Sequence, residues 1–381
     1  MKKTGKFLVI LAAFLFLSGC GEDPPEVTTT PTETLLQTQP TQPTVPEETT
    51  PTTPDPTVTE PKAESFLLSF AGDCTMGDNF DAENESGTFC KVVKDKYHYP
   101  FAKVKDIFAA DDYSFVNLEC ALTESDPTEE EMEELKENLF RFRGPVEYAK
   151  ILVEGNVEFA SCANNHSKDY GKQGLYDTWN ALEAENIRYA SFGKNAVVTT
   201  ERGLKIGVFT VFFNTNQASV EYLVEYLEKQ GAEIIVMSIH WGDEGTYTPN
   251  AKQQELGRMA IDAGVDIVYG HHSHTLQPIE AYNGGIIYYS LGNFSFGGNR
   301  NPADKDTAII QQEILRYEDG TVALGNLKIV PCSVSGNENW NDYQPTPYEE
   351  DNEGYNRVFS KLEGSYDGDN VDVPYATAPT E

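Results

Sequence analysis

Apolar and polar positions alternate along most of this chain in two rhythms. Runs with a two-residue period or continuous apolar character read as strands at 66–73, 113–116, 157–160, 204–212, 234–239, 265–269, 286–294, 308–315 and 322–329. Between them lie segments with a helical period. Leu175, Trp179 and Leu182 mark one at 174–185, and others fall at 101–110, 145–154, 220–229 and 251–263. Pro145 suits the first turn of its helix, where a missing N–H costs nothing. Alternation on this scale predicts an α/β domain over 64–345, a sandwich with a largely parallel or mixed central sheet. An acidic run, 129–137, interrupts it. Residues 346–381 form an acidic tail with a short helix expected at 355–362.

The first 63 residues follow neither rhythm. Lys2, Lys3 and Lys6 precede a short apolar core at 7–17, and Leu17-Ser18-Gly19-Cys20 resembles a lipobox. The expectation is a signal peptide over 1–20, lipidation of Cys20 and tethering to the outer face of a cell membrane, in an envelope of Gram-positive type. Residues 21–63 are dominated by Thr and Pro and contain no aromatic, so they cannot bury enough surface to offset their ordering entropy. They are expected to form an extended stalk. Charge sharpens the picture: 61 acidic against 28 basic side chains repel nucleic acid rather than bind it. Beyond Cys20, the odd set Cys74, Cys90, Cys120, Cys162 and Cys332 lacks any CxxC spacing and reads as buried small hydrophobes, with a disulfide among them as the alternative in an oxidising compartment.

Candidate chemistry gathers at strand ends. Asp73 closes the first strand, and Asn164-Asn165-His166 follows the run at 157–160. His240-Trp241-Gly242 follows 234–239, and Gly270-His271-His272-Ser273-His274 follows 265–269. Carboxyl ends of parallel strands converge on one rim, where ligand crevices form. Imidazoles and a carboxylate collected there have the composition of a divalent-metal site or an acid–base centre. Arg141 and Arg143 are the cations nearest a motif and suit an anionic group. No Gly-x-x-x-x-Gly-Lys-Ser/Thr stretch supports ATP-driven chemistry.

In order, Gly72-Asp73, Val116-Asn117-Leu118-Glu119, Ala163-Asn164-Asn165-His166, His240-Trp241-Gly242-Asp243-Glu244, Gly270–His274 and Ser290-Leu291-Gly292-Asn293-Phe294 resemble the bacterial capsule synthesis family that includes CapA. That family is similar in turn to calcineurin-like metallophosphoesterases. The resemblance implies metal ligands at Asp73, Glu119, Asn165, His240 and His274, with His271 or His272 completing the set for one or two divalent ions. Catalysis would fall to His166 with Asp73, and substrate contacts to Asn117, Asn164, Arg143, Glu244 and Asn293. Thr75 stands where the phosphoesterase pattern has a histidine, and Glu119 where it has an aspartate. The implied activity is metal-dependent hydrolysis of a capsular polymer or phosphoester. The implied alternative is a non-catalytic, polymer-binding accessory of a membrane synthase.

Overall fold

The computed structural model describes residues 62–371, apart from 83, 84 and 137. The expected signal peptide, Cys20 and nearly all of the Thr/Pro stretch lie outside the described residues. Among the described residues no helix is long and apolar enough to cross a membrane.

The strands are shared between two mixed sheets. In the first the order is Thr346–Pro347, Val322–Ser333, Asp306–Tyr317, Ala63–Thr75, Tyr113–Leu118, Phe159–Cys162 and Arg188–Ser191, and Asn293–Phe296 pairs alongside the end of Ala63–Thr75. The second runs Leu276–Tyr282, Gly285–Leu291, Ile267–His271, Ile234–His240, Lys205–Phe212 and Ala196–Thr199. Its centre is parallel and its two edge pairs are antiparallel. A small third sheet joins Asp78–Asn79, Phe142–Gly144 and Ala121–Leu122.

Side-chain parity sets the layers, because successive residues of a strand point to opposite faces. In Ile234–His240, Ile234 and Val236 join a core with Phe66, Leu68, Phe70, Phe115 and Phe159 of the first sheet. Ile235, Met237 and Ile239 pack instead with Val220, Val224 and Leu227 of helix Gln217–Lys229 and with Leu256 and Ala260 of helix Ala251–Asp262. Val116, Leu118 and Ala160 of the first sheet pack outward with Ile151, Leu152 and Leu182 of helices Ala149–Glu154 and Gly171–Ala184. The domain is thus the expected mixed α/β sandwich, as a helix–sheet–sheet–helix stack. Phe70 stacks on Phe115 with centroids 4.8 Å apart at its middle.

Helix starts follow their caps. Asn250 and Gln253 form a capping box, as do Thr128 and Glu131 at the head of the acidic run, where Glu129–Glu134 is helical. The amphipathic stretch at 101–110 yields only the short helix Lys105–Phe108. The tail helix is Glu353–Glu363, closed by Gly364 at φ 75°. Its Lys361 is buried against Asp304 and Asp306, each 2.7 Å away, and Arg357 makes two bonds of 2.6 and 2.7 Å to Asp306. All five described cysteines are free, and Cys74, Cys120 and Cys162 share one apolar core.

Candidate metal centre

Along the gap between the sheets, inward-facing residues change character toward the carboxyl ends of the strands. In the first sheet, Phe70, Phe115 and Phe159 sit in register, and the next inward row is Asp73, Asn117 and Ser161. In the second, Val236 and Ile267 give way to Ser238 and Tyr269, then to His240 and His271. Ser161 and Ser238 meet across the gap, Oγ to Oγ, at 2.6 Å. The apolar half therefore holds the sheets together and the polar half faces itself.

Asp73 reaches this row through a break in parity. Phe70 pairs with Phe115 but Asp73 pairs with Asn117, so three steps on one strand match two on its neighbour. Such a bulge re-aims a side chain. Gly72 makes it feasible: a Cβ there would lie 2.0 Å from the Gly292 carbonyl oxygen, which accepts the Asp73 N–H at 2.8 Å.

Around Asp73 the groups are tightly spaced. Asn117 donates to its Oδ1 at 2.9 Å, and Asn164 donates to Asn117 Oδ1 at 3.1 Å and to the Leu118 carbonyl at 2.8 Å. His271 Nδ1 lies 3.4 Å from Asp73 Oδ1, with its Nε2 3.1 Å from Ser238 Oγ. His274 Nδ1 lies 2.8 Å from Asn293 Oδ1 and 3.6 Å from Asp73 Oδ2. His240 Nε2 stands 3.4 Å from Glu119 Oε1, and His272 Nδ1 stands 3.9 Å from Glu244 Oε1. His272 and His274 adopt φ of 93° and 56°, a region that costs ordinary residues energy and clusters at functional sites.

Three overlapping sets present one donor atom each within 4.8 Å: Glu119, His240 and His272; Asp73, Glu119 and His274; Glu244, His272 and His274. His272 thus joins two sets, whereas His271 joins none.

Several donors make sense only with a further positive partner. Glu119 is fully buried, and neither carboxylate oxygen has a hydrogen-bond partner. Burial, then repulsion from Asp73 and Glu244, pushes its carboxyl well above the usual range. Both His240 nitrogens and the Asn165 amide oxygen also lack partners. Burial, reinforced by neighbouring histidines, lowers His240 well below its ordinary value and His272 to about 3, so both rings stay neutral. Burial lifts Asp73, but His271, His274 and Asn117 outweigh it and hold the carboxyl low. Neutral imidazoles, the low-lying Asp73 carboxylate, a Glu119 carboxyl that a cation would ionise and an unclaimed amide oxygen are the donor set a divalent cation takes.

His166 flanks the cluster in a different setting. Its Nδ1 is hydrogen-bonded to Asp169 Oδ2 at 2.8 Å, and Asp169 also accepts the Phe142 N–H at 2.7 Å. Phe142 packs on the ring with centroids 4.6 Å apart. This leaves Nε2, 3.0 Å from Asn165 Nδ2, as the atom turned to the site. Asp169 lies in the motif Asp169-Tyr170-Gly171 that follows Asn165-His166 and shares in the family resemblance, but it has no role among the site residues expected from the sequence.

Asp73, Glu119, Asn117, Asn164, Asn165, His166, His240, Glu244, His271, His272, His274 and Asn293 are thus linked through one network. The arginines are not in it. Arg143 donates to Asp126 at 2.9 Å, lies over the Tyr170 ring and lines a separate cleft of about 620 Å³ with Lys91 and Lys94. Strand parity explains this: Phe142 faces His166, so its neighbour faces away. Arg141 lies over the Phe80 ring.

With this geometry in view, residues 67–298, which contain every member of the network, match the model of the bacterial capsule synthesis protein PGA_cap. The chain belongs to this family. Among its relatives, the PGA biosynthesis protein CapA of Bacillus subtilis is 31% identical over 290 residues, covering 70% of this chain and 71% of that protein. The capsule biosynthesis protein CapA of Bacillus anthracis is 29% identical over 299 residues, covering 71% and 68%. A probable polyglutamine synthesis accessory protein of Mycobacterium tuberculosis is 26% identical over 216 residues, covering 48% and 55%. Matches among solved structures include the Haemophilus influenzae NAD nucleotidase (TM-score 0.42, 13% identity, 82% of this chain and 66% of that one). The purple acid phosphatase PPD1 of yellow lupin follows (TM-score 0.34, 10% identity, 70% and 54%). Membership of the PGA_cap family supports a role in making a capsule.

Proposed function

We propose that this PGA_cap protein is a metal-dependent hydrolase acting on a capsular polymer of the poly-γ-glutamate kind, held outside the cell by a lipid on Cys20. The observation that carries the catalytic part is Glu119, fully buried beside His240 and Asp73 with neither carboxylate oxygen hydrogen-bonded. Asp73, Glu119, Asn165, His240, His272 and His274 would hold the cation. When bound, a divalent ion there polarises the scissile group and lowers the pKa of a bound water.

The chain's own residues do the rest. Asn117 and Asn293 orient Asp73 and His274. Asp169 fixes the His166 ring, so that Nε2 can pass a proton to the leaving group. The polymer is a polyanion and the chain carries a net charge of −33, so its approach needs local cations. Lys91 and Lys94 line the neighbouring cleft and are suited to its carboxylates, although Asp78 and Glu124 line it too and Arg143 is held by Asp126.

One observation favours the accessory reading, in which the polymer binds without turnover and the protein serves a membrane synthase. The Thr75 hydroxyl is spent on the Glu119 carbonyl at 3.3 Å, so the phosphoesterase pattern is a ligand short there. His166→Ala separates the two. On the enzyme reading it keeps bound metal and loses turnover of γ-glutamyl polymer or a phosphoester probe by roughly 10²–10⁴-fold. Normal capsule production by a strain carrying only this variant would establish the accessory role instead. The anchor is tested by fractionation: Cys20→Ser should leave the membrane fraction, and unchanged partition contradicts lipidation.

A further inference from the structure

Thr75 leaves a gap in the donor set. Its side chain is fully buried and its Oγ1 is turned to a backbone carbonyl, so the position supplies the cluster with no nitrogen. The loop that follows Ile234–His240 brings a carboxylate to the same cluster. The Glu244 side chain is only 4% exposed, its Oε1 lies 3.9 Å from His272 Nδ1, and it forms one of the three donor sets with His272 and His274.

The loop is fastened to the histidine turn. Gly245 N–H donates to the Ser273 carbonyl at 2.8 Å, at the residue between the two histidines. Thr275 Oγ1 and Gln277 Nε2 donate to the Thr246 carbonyl at 2.7 and 3.0 Å. From the far end of the chain, Val371 N–H donates to the Gly245 carbonyl at 3.0 Å. Gly242 and Gly245, at φ 86° and 73°, permit the return that aims Glu244 inward. A carboxylate fixed this way has little ordering left to do on binding, which is what a ligand requires.

We propose that Glu244 is a metal ligand of this site, standing in for the histidine that Thr75 displaces. The inference rests on the metal-centre reading above. Its chemical consequence is a harder site: exchanging an imidazole for a carboxylate raises the relative affinity for ions such as Mn²⁺ over Zn²⁺. It also puts Asp73, Glu119 and Glu244 around one cluster of neutral rings, a charge that cations must balance.

The test is direct titration of metal-free, full-length protein with MnCl₂ and with ZnCl₂, read by calorimetry and by metal content after dialysis. Glu244→Gln should weaken Mn²⁺ binding at least about tenfold and Zn²⁺ binding less. Asp243→Asn removes the adjacent charge, whose carboxylate is held by Asn250 at 2.8 Å, and should leave both affinities unchanged. If Glu244→Gln fails to fold by circular dichroism, Glu244→Asp keeps the charge, withdraws the oxygens and must also weaken Mn²⁺. Wild-type Mn²⁺ affinity in the Glu244 variants, or equal weakening by Asp243→Asn, overturns the assignment and leaves the metal centre standing. Wild-type protein that takes up neither ion overturns both.

Discussion

Two buried clusters of acid groups in this molecule meet the same problem differently. Asp304 and Asp306 lie under the tail helix with Lys361, whose ammonium touches both carboxylates and sits over the rings of Tyr247 and Tyr366. Arg357 adds a two-bond clasp, and Asp306 is held below the usual carboxylate range because Arg357 and Lys361 outweigh its burial. Asp73 and Glu119 are buried as deeply, yet among the described residues their ion-pair partners are histidines alone. The chain completes the first cluster with its own cations and leaves the second to be completed from outside. An uncompensated buried charge is too costly to persist without use, so the contrast marks which cluster is structural and which is a site.

The sharpest way to break the contrast is to remove the internal cation. Lys361→Met strands the buried Asp304 and leaves Asp306 to Arg357 alone, and should cost about 3–5 kcal/mol in urea denaturation, without changing metal content in the folded fraction. A neutral result would mean that water already solvates Asp304 and Asp306.

The opposite sign is expected at the other cluster. In metal-free protein at neutral pH Glu119→Gln should be more stable than wild type by roughly 1–3 kcal/mol, since it removes the charge of a buried carboxylate that nothing compensates. The pH dependence follows from the raised carboxyl. Glu119 favours the folded state fully below its ordinary value of 4.5 and loses that contribution as pH rises through its higher folded value. The variant's advantage should therefore be largest at neutral pH and vanish toward pH 4.5, while its metal binding is lost throughout. Denaturation curves at several pH values in chelator would decide it, and a destabilised variant at neutral pH would contradict the reading. Arg357→Ala should have the smallest effect, about 1 kcal/mol or less, because the Arg357 side chain is 41% exposed and Lys361 remains. A loss matching that of Lys361→Met would show that the two cations act as one unit.

Much of this architecture was legible in the chain, and for physical reasons. The runs at 204–212, 234–239 and 265–269 are long and apolar because they are buried on both faces, and each emerged as a strand with ends shifted by a few residues. Short edge strands were not legible: Arg188–Ser191 and Ala196–Thr199 have four residues each and mixed polarity, and Pro278 obscured Leu276–Tyr282. The division into two sheets escaped alternation, which records order and not partnership. At the site, the histidine motifs announced themselves by type and strand-end position. The role of Asp169, the exclusion of His271 from the donor sets and the outward turn of Arg143 depend on which face each residue takes, and sequence spacing near turns does not determine that.

The bulge before Asp73 separates two things that a regular strand would tie together, the direction of a side chain and the path of its backbone. Remove either Ala71 or Gly72 and the strand turns regular: Asp73 then lies two steps from Phe70, still opposite Asn117 and still facing the gap. What the extra residue supplies is the close approach of the backbone to Gly292, where a Cβ on Gly72 would lie 2.0 Å from a carbonyl oxygen. When other chains are set beside this one, a strand one residue shorter can still present the carboxylate, whereas one that keeps the bulge needs glycine at the position of Gly72.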